Sequence, residues 1–467
     1  MTNPALLSVG PATEDRAPLL RDAAERAIAY LEGLDERSVT STNAARQRLT
    51  ELDTSLPELP VDPTVVLDLL DAIGSPATTA MAGRRYFGFV TGGTLPAALA
   101  ANWLAGAWDQ NSGFTVMSPI GAALEEISRR WLLDALGLPP ESAAGFVTGG
   151  TMANFTALSA ARHGVLERVG WNVEDDGLFG APPITIVVGD EVHASALKAL
   201  SLLGFGRNRV VRVGVDSQGR MRADALPEIA GPTIVLTQAG NVNTGAIDPV
   251  GEIADRVSGS GAWVHVDGAF GLWAAAAPTR VHLLQGVEAA DSWALDAHKW
   301  LNVPYDSGVA LVRDPAALSA AMAATAAYLQ AGTTREPCHF TPEMSRRARG
   351  IEIWAALLSL GRDGLADLIE RTCRHASRFA EGLSAAGYEI LNEVTLNQVM
   401  VSFGDDDTTR RVIAAVQEDG TCWCGGTVWR GRAAMRVSVS SWATTDADVE
   451  RSLEAILRIA AHPPMSS

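Results

Sequence analysis

Ala262-Trp263-Val264-His265-Val266-Asp267-Gly268-Ala269-Phe270 is the stretch on which the fold turns. An apolar run of strand length, residues 262–266, stops at a carboxylate, and two small residues follow. Similar short runs at 184–188, 209–213, 233–237 and 308–312 alternate with helical stretches. That alternation predicts a sheet covered by helices on both faces, the α/β layer architecture. Upstream, the spacing predicts a helix over 118–137, with Ser118 as N-cap, Pro119 in the first turn and Gly137 closing the end. Ile120, Leu124, Ile127, Trp131 and Leu132 recur on one face of it.

Outside this region the pattern changes. A helical segment over 19–34 is broken by Pro57, Pro60 and Pro63, and a short helix follows over 65–73. The first dozen residues, with Pro4 and Pro11, read as a loose tail. Past Ser345 the sequence predicts a helix over 346–360, strands at 399–403 and 435–439, and a closing helix over 445–460. The expected division is an N-terminal helical segment, 1–80, a large α/β unit, 81–345, and a smaller α+β unit, 346–467.

Composition narrows the function. The 467 residues carry 54 Asp and Glu against 37 Lys and Arg, and that acidity argues against nucleic-acid or membrane-surface binding, which rest on basic patches. Cys338, Cys373, Cys422 and Cys424 are too few and too irregular for a disulfide framework, and Cys422 and Cys424 are too close for a zinc pair. No signal-like N-terminus and no apolar run of membrane-spanning length is present, so a cytoplasmic protein without a metal is expected.

Four stations carry chemistry. Gly145-Phe146-Val147-Thr148-Gly149-Gly150-Thr151-Met152-Ala153-Asn154 opens a helix with glycines, where backbone N–H groups can take a phosphate; alone, it reads more readily as an ordinary glycine turn. His193, just past a strand, can stack on a planar ring or move a proton, or can be structural. Asp267 can hold a pyridine nitrogen protonated; a metal-binding role lacks partner ligands at suitable spacing. In Asp296-Ala297-His298-Lys299-Trp300, a lysine among apolar neighbours can lose its proton and form a Schiff base. In this order the four match the needs of a pyridoxal-phosphate site.

On these residues the chain resembles the group II pyridoxal-phosphate-dependent amino-acid decarboxylases, which include aromatic-amino-acid, glutamate and diaminobutyrate enzymes. The likeness runs from about Tyr86 onward through Met117-Ser118-Pro119, Gly149 to Asn154, His193, Asp267 to Phe270, Asp291-Ser292, His298-Lys299-Trp300 and Ser345-Arg346-Arg347 to Trp354. It implies the fold type I (aspartate aminotransferase-like) architecture, a mixed, mostly parallel sheet with a smaller C-terminal domain. It implies that pyridoxal 5′-phosphate forms an imine with Lys299, that Asp267 pairs with its ring nitrogen, and that His193 stacks on the ring with Ala269 near the other face. Gly150, Thr151 and His298 would lie near the phosphate. A homodimer wrapped by residues 1–80 and an amino-acid substrate are implied as well.

One segment departs from the family pattern. Aromatic-amino-acid members carry a tyrosine proton donor on a loop ahead of the Ser-Arg-Arg segment, but residues 330–344 contain none and offer Cys338, His339 and Phe340. His339 can replace it as acid or be a plain loop residue. The departure leaves open an aldehyde product by oxidative deamination. Transamination and aldol cleavage use the same Lys, Asp and His. A binding module on the same fold would be expected to have lost Lys299 or Asp267, and a nucleotide-binding oxidoreductase would show G-x-G-x-x-G. The polar segment 108–113 is the expected substrate entry, with Asp109 as reader of a polar or cationic side chain or as a turn cap; Arg436 can meet a carboxylate or line the domain junction. His282 and His375 read as surface residues.

Overall fold

The computed structural model describes residues 16–323 and 335–463. The expected N-terminal tail and the part of the 330–344 segment before residue 335 lie outside the described residues. Among those described, twelve strands form. In chain order they are β1 Tyr86–Phe87, β2 Ala143–Val147, β3 Thr185–Gly189, β4 Val211–Val213, β5 Thr233–Gln238, β6 Trp263–Asp267, β7 Ser292–Asp296 and β8 Gly308–Val312. The last four are β9 Glu389–Ile390, β10 Gln398–Ser402, β11 Trp423–Trp429 and β12 Arg432–Ser438.

Seven strands make the large sheet in the order β2-β8-β7-β6-β5-β3-β4. All neighbours are parallel except β8, which runs against both β2 and β7. Every residue of β2, β5, β6, β7 and β8 is buried, as a sheet covered on both faces requires. The two faces feed different cores. Ile234, Leu236 and Ala294 pack with Ala157 and Leu158 of the helix Gly150–Glu167, whereas Val235, Val266 and Leu295 point into a second core with Leu132 and Trp273.

The predicted strands 184–188, 209–213, 233–237 and 262–266 match β3 to β6 within two residues, and 308–312 is β8. Two strands of this sheet have no signature of their own. β2 (Ala-Ala-Gly-Phe-Val) is poor in β-branched residues, and β7 (Ser-Trp-Ala-Leu-Asp) is polar at both ends; antiparallel pairing with β8 holds each in register.

The second sheet has the order β1-β11-β12-β10-β9. β10 and β12 cover the predicted strands, while Gly425 and Gly426 disguise β11 as a turn. Tyr86 in β1 pairs with Trp423 in β11, so a segment from well before the large sheet completes this one.

The helix Pro119–Ala135 forms as the sequence indicates, with the Ser118 hydroxyl accepting the Gly121 N–H at 3.2 Å. Its apolar face is only partly buried, and Ile120 stays exposed. The helix expected at 346–360 instead starts at Gly350 and reaches Ala385. Arg347 is held in a bridge to Asn111, which keeps the chain non-helical there, and Gly361 (φ 59°) kinks the helix where it was expected to end. His375, read as a surface residue, is buried on this helix beside Thr372, Ala376 and Phe379, with Nε2 3.0 Å from Asp446, a placement that a lone histidine does not reveal. His282 is exposed.

Candidate active site

The carboxyl ends of the parallel strands supply the site, the usual place for a ligand in an open α/β sheet. β5 ends at Gln238, β6 at Asp267 and β7 at Asp296, and His193 follows β3 as N-cap of the helix Ala194–Leu202. A cavity of about 450 Å³ opens there. His193, Asp267, Ala269 and Lys299 line it together, with Phe89 and Arg436.

Lys299 Nζ lies 2.8 Å from Asp296 Oδ2. Burial pulls the ammonium pKa down, but Asp296, and behind it Asp267, outweigh this and hold it above its ordinary value. In this state Lys299 is thus an ion-paired ammonium, and the loss of its proton that Schiff-base chemistry requires must work against Asp296 as well as with the apolar surroundings. The other Asp296 oxygen accepts the backbone N–H of Gly150, at the positive end of the helix Gly150–Glu167. The carboxylate thus occupies the N–H group that the sequence assigns to a phosphate.

His193 Nδ1 accepts the Ser195 N–H at 3.2 Å and lies 2.7 Å from Ser195 Oγ. Nδ1 is thereby an acceptor, and the proton of the neutral ring sits on Nε2. Burial lowers the pKa of this ring and favours that neutral form. His298 follows the same pattern: its Nδ1 accepts the Ser307 N–H at 3.1 Å, its Nε2 lies 3.4 Å from Asp296, and burial lowers its pKa. The Tyr305 ring stacks on it with centroids 4.2 Å apart. Asp267 is buried, accepting Asn154 Nδ2–H at 3.1 Å and the Ala269 N–H at 3.2 Å. Thr151 lies in the first turn after Gly150. The backbone is close-packed here: a Cβ on Gly308 would stand 2.5 Å from Gly149 Cα, so Gly308 cannot carry a side chain without moving the turn.

Arg436 is the cavity residue that sequence reasoning mentioned without assigning. Its guanidinium donates to the Val242 carbonyl at 3.0 Å, its Nε is buried without a hydrogen-bond partner, and burial lowers its pKa. Asn154 and Tyr305 were missed as well; Asn154 stood inside the quoted glycine motif, and nothing near Tyr305 in the sequence marks it. His339 does not line this cavity. It lies on the short 3-10 turn Pro337–Phe340, partly exposed. Residues 108–113 do not line it either; Asp109, in a left-handed conformation, caps the helix Pro96–Trp108.

The donor set fits pyridoxal phosphate. A lysine amine, a buried carboxylate fixed by two N–H donors, a flat neutral imidazole and an unsatisfied guanidinium nitrogen share one cavity of cofactor size. No group of three or more His, Cys, Asp or Glu suited to a metal occurs among the described residues.

Comparison with known proteins agrees with this chemistry. The pyridoxal-dependent decarboxylase conserved domain matches residues 47–404. An aromatic-L-amino-acid decarboxylase of Bacillus atrophaeus is 30% identical over 370 residues, 74% of this chain and 73% of that protein. An L-2,4-diaminobutyrate decarboxylase of Rhizobium meliloti (strain 1021) is 32% identical over 381 residues, 77% of this chain and 74% of that protein. The crystal structure of Oryza sativa TDC with PLP and tryptamine superposes with a TM-score of 0.89 at 23% identity, covering 97% of this chain and 99% of that one, and shares its fold.

Proposed function

The chain belongs to the pyridoxal-dependent decarboxylase family, a lyase that uses pyridoxal 5′-phosphate to remove the carboxyl group of an amino acid, and on that premise we propose how its residues divide the work. The observation that carries this reading is the convergence of Lys299, Asp267 and His193 on one cavity. The cofactor, when bound, supplies an electron sink for the pair released as the Cα–carboxylate bond breaks. Lys299 would hold it through Nζ, once its ammonium has given up a proton that Asp296, at 2.8 Å, is placed to take. Asp267, its charge stabilised by the Asn154 and Ala269 N–H groups, would face the ring nitrogen and favour a proton there. His193 offers a neutral ring face and an Nε2–H donor, and Ala269 the small opposite wall. Gly150, Thr151 and His298 form the phosphate end.

Arg436 receives the carboxylate of the substrate, an L-amino acid, because its buried Nε has no other partner. Arg436 on one wall of the cavity and the neutral His193 ring on another would restrict how the substrate lies against the cofactor, and that restriction selects which bond at its α-carbon breaks. The product is the amine. His339 serves as its proton donor only if a second chain or a closing segment brings it to the cavity.

A homodimer accounts for apolar surface that a lone chain leaves wet. The helix Arg16–Glu32 buries none of its residues and exposes Leu20 and Ile28, and Leu104 and Trp108 are exposed on the helix Pro96–Trp108. A cytoplasmic location is supported by four free, buried cysteines.

The test loads the protein with pyridoxal phosphate, records its visible band, and assays carbon dioxide, amine, aldehyde and oxygen uptake with a panel of L-amino acids. Matching carbon dioxide and amine, lost together with the band in Lys299→Ala, is the expected result. Aldehyde with oxygen consumption would replace the amine product by the oxidative one. A loaded protein that releases no carbon dioxide would overturn the reading.

A further inference from the structure

Behind Asp267 runs a line of buried side chains that the proposed chemistry leaves unused. Trp263 Nε1–H donates to Ser292 Oγ at 2.8 Å, and Ser292 Oγ lies 2.8 Å from His265 Nδ1. His265 Nε2 lies 2.8 Å from Asn154 Oδ1, and Asn154 Nδ2–H donates to Asp267 Oδ2 at 3.1 Å. Trp263, Ser292, His265 and Asn154 are at most 2% exposed, and none of them lines the cavity.

The direction of this line is fixed by its last member. The Asp267 carboxylate can only accept, so Asn154 turns its N–H to Asp267 and its oxygen to His265. His265 therefore carries its proton on Nε2 and gives it to the Asn154 oxygen, which leaves Nδ1 of the neutral ring as an acceptor for the Ser292 hydroxyl. Ser292 Oγ in turn accepts the Trp263 indole N–H. Burial without a compensating charge pushes the His265 pKa down to about 3, so the ring stays neutral and its tautomer does not change near neutrality. The links join β6, β7 and the helix Gly150–Glu167, so the helix that opens the phosphate end also meets the ring-nitrogen end.

We propose that the relay Trp263–Ser292–His265–Asn154 fixes the orientation of the Asp267 carboxylate toward the cofactor's ring nitrogen, with His265 and Asn154 as positioning residues of the decarboxylation. A proton between a carboxylate and a pyridine nitrogen can rest on either. An N–H donor to the carboxylate stabilises its anion and leaves the proton on the ring, where it strengthens the electron sink. Removing that donor favours the neutral acid and neutral ring. This inference rests on the proposed pairing of Asp267 with the ring nitrogen.

The experiment loads wild type, Asn154→Leu, His265→Leu, His265→Gln and Ser292→Ala with cofactor carrying heavy nitrogen in its ring, and reads that nitrogen by NMR alongside kcat and KM. Wild type should show a protonated ring nitrogen. In Asn154→Leu and His265→Leu the resonance should move toward the unprotonated value, with kcat down roughly 10- to 100-fold and KM changed by less than about threefold. His265→Gln, whose amide N–H can still reach Asn154, should recover most of both. Ser292→Ala, a loss of one hydroxyl, should shift the resonance in the same direction by less, and decides the matter if the leucine variants do not fold. An unmoved resonance in folded, loaded variants would overturn the relay. Wild type that loads but shows an unprotonated ring nitrogen would do the same while sparing the cofactor assignment, whereas wild type that takes up no cofactor would remove both.

Discussion

Asp296 and Lys299, three residues apart, form a part-buried ion pair at 2.8 Å, and the same carboxylate accepts the Gly150 N–H. In the proposed chemistry one side chain would therefore govern both the amine that takes the cofactor and the N–H group offered to its phosphate. An opposite charge this close raises a lysine pKa, so its removal lowers it. In Asp296→Asn the pH at which apoprotein captures pyridoxal phosphate, followed by growth of the visible band, should move down by about one to three units. An unchanged profile would mean that Asp296 does not govern the Lys299 proton.

Asp267→Asn keeps the shape of the side chain and removes its charge. With no anion to hold the ring nitrogen protonated, kcat should fall by roughly 10²- to 10⁴-fold while cofactor still loads on Lys299. Steady-state kinetics on the loaded variant check this, and near-normal turnover would rule the ring-nitrogen partner out.

Acid should destabilise the fold through His265. Its folded-state pKa, about 3, lies below the ordinary histidine value near 6.5. The unfolded chain takes up the proton first, so this contribution is complete above about pH 6.5 and declines as pH falls toward the folded value. By pH 5 the loss from His265 alone is about 2 kcal/mol. Burial lowers the pKa of His193, His298 and His375 too, which adds in the same direction. Urea unfolding of wild type and His265→Gln at pH 7.5 and pH 5 measures it, the variant being the less acid-sensitive of the two.

Arg346 and Glu125 pair through two hydrogen bonds, 2.6 and 3.0 Å, with both side chains 1% exposed. Removing Arg346 leaves the buried Glu125 carboxylate with only Arg335, at 3.8 Å, so Arg346→Leu should cost about 3 kcal/mol in chemical denaturation. Glu125→Leu combined with Arg346→Leu should recover much of that loss, and additive losses in the double variant would contradict the coupling.

Leu20 and Leu104 stand exposed on helices at the apolar surface assigned to a partner copy. Leu20→Asp with Leu104→Asp should shift the protein from dimer to monomer in light scattering. Wild type that is itself monomeric would end the dimer proposal.

The chain announced its chemistry more clearly than its architecture. Lys299, Asp267 and His193 follow short apolar runs, and a charged group at the end of such a run has few structural uses, so these positions stand out without coordinates. β2 and β11 did not, because Ala143, Ala144, Gly425 and Gly426 carry little strand preference and are held by neighbours distant in sequence. The Ser-Arg-Arg segment was legible as a family mark, yet only the fold shows that Arg346 neutralises Glu125 more than 200 residues earlier. The ion pair of Lys299 escaped for a similar reason: Asp296 was in plain view, but apolar neighbours in sequence said nothing of how its side chain turns. His375 shows the opposite failure, a residue dismissed as wet because burial depends on what the helix packs against.

The pairing of Tyr86 with Trp423 also sets a schedule. During synthesis β2 to β8 are all available once residue 312 has emerged, so the large sheet can close while the chain is still growing. β1 has by then been waiting with an open edge, and it finds its neighbour only when more than a hundred further residues have been made. Closing so long a loop is slow relative to local contacts. A chain released early, short of β11, would carry a complete large sheet and an unsatisfied strand beside it, a shape prone to sticking to its own kind.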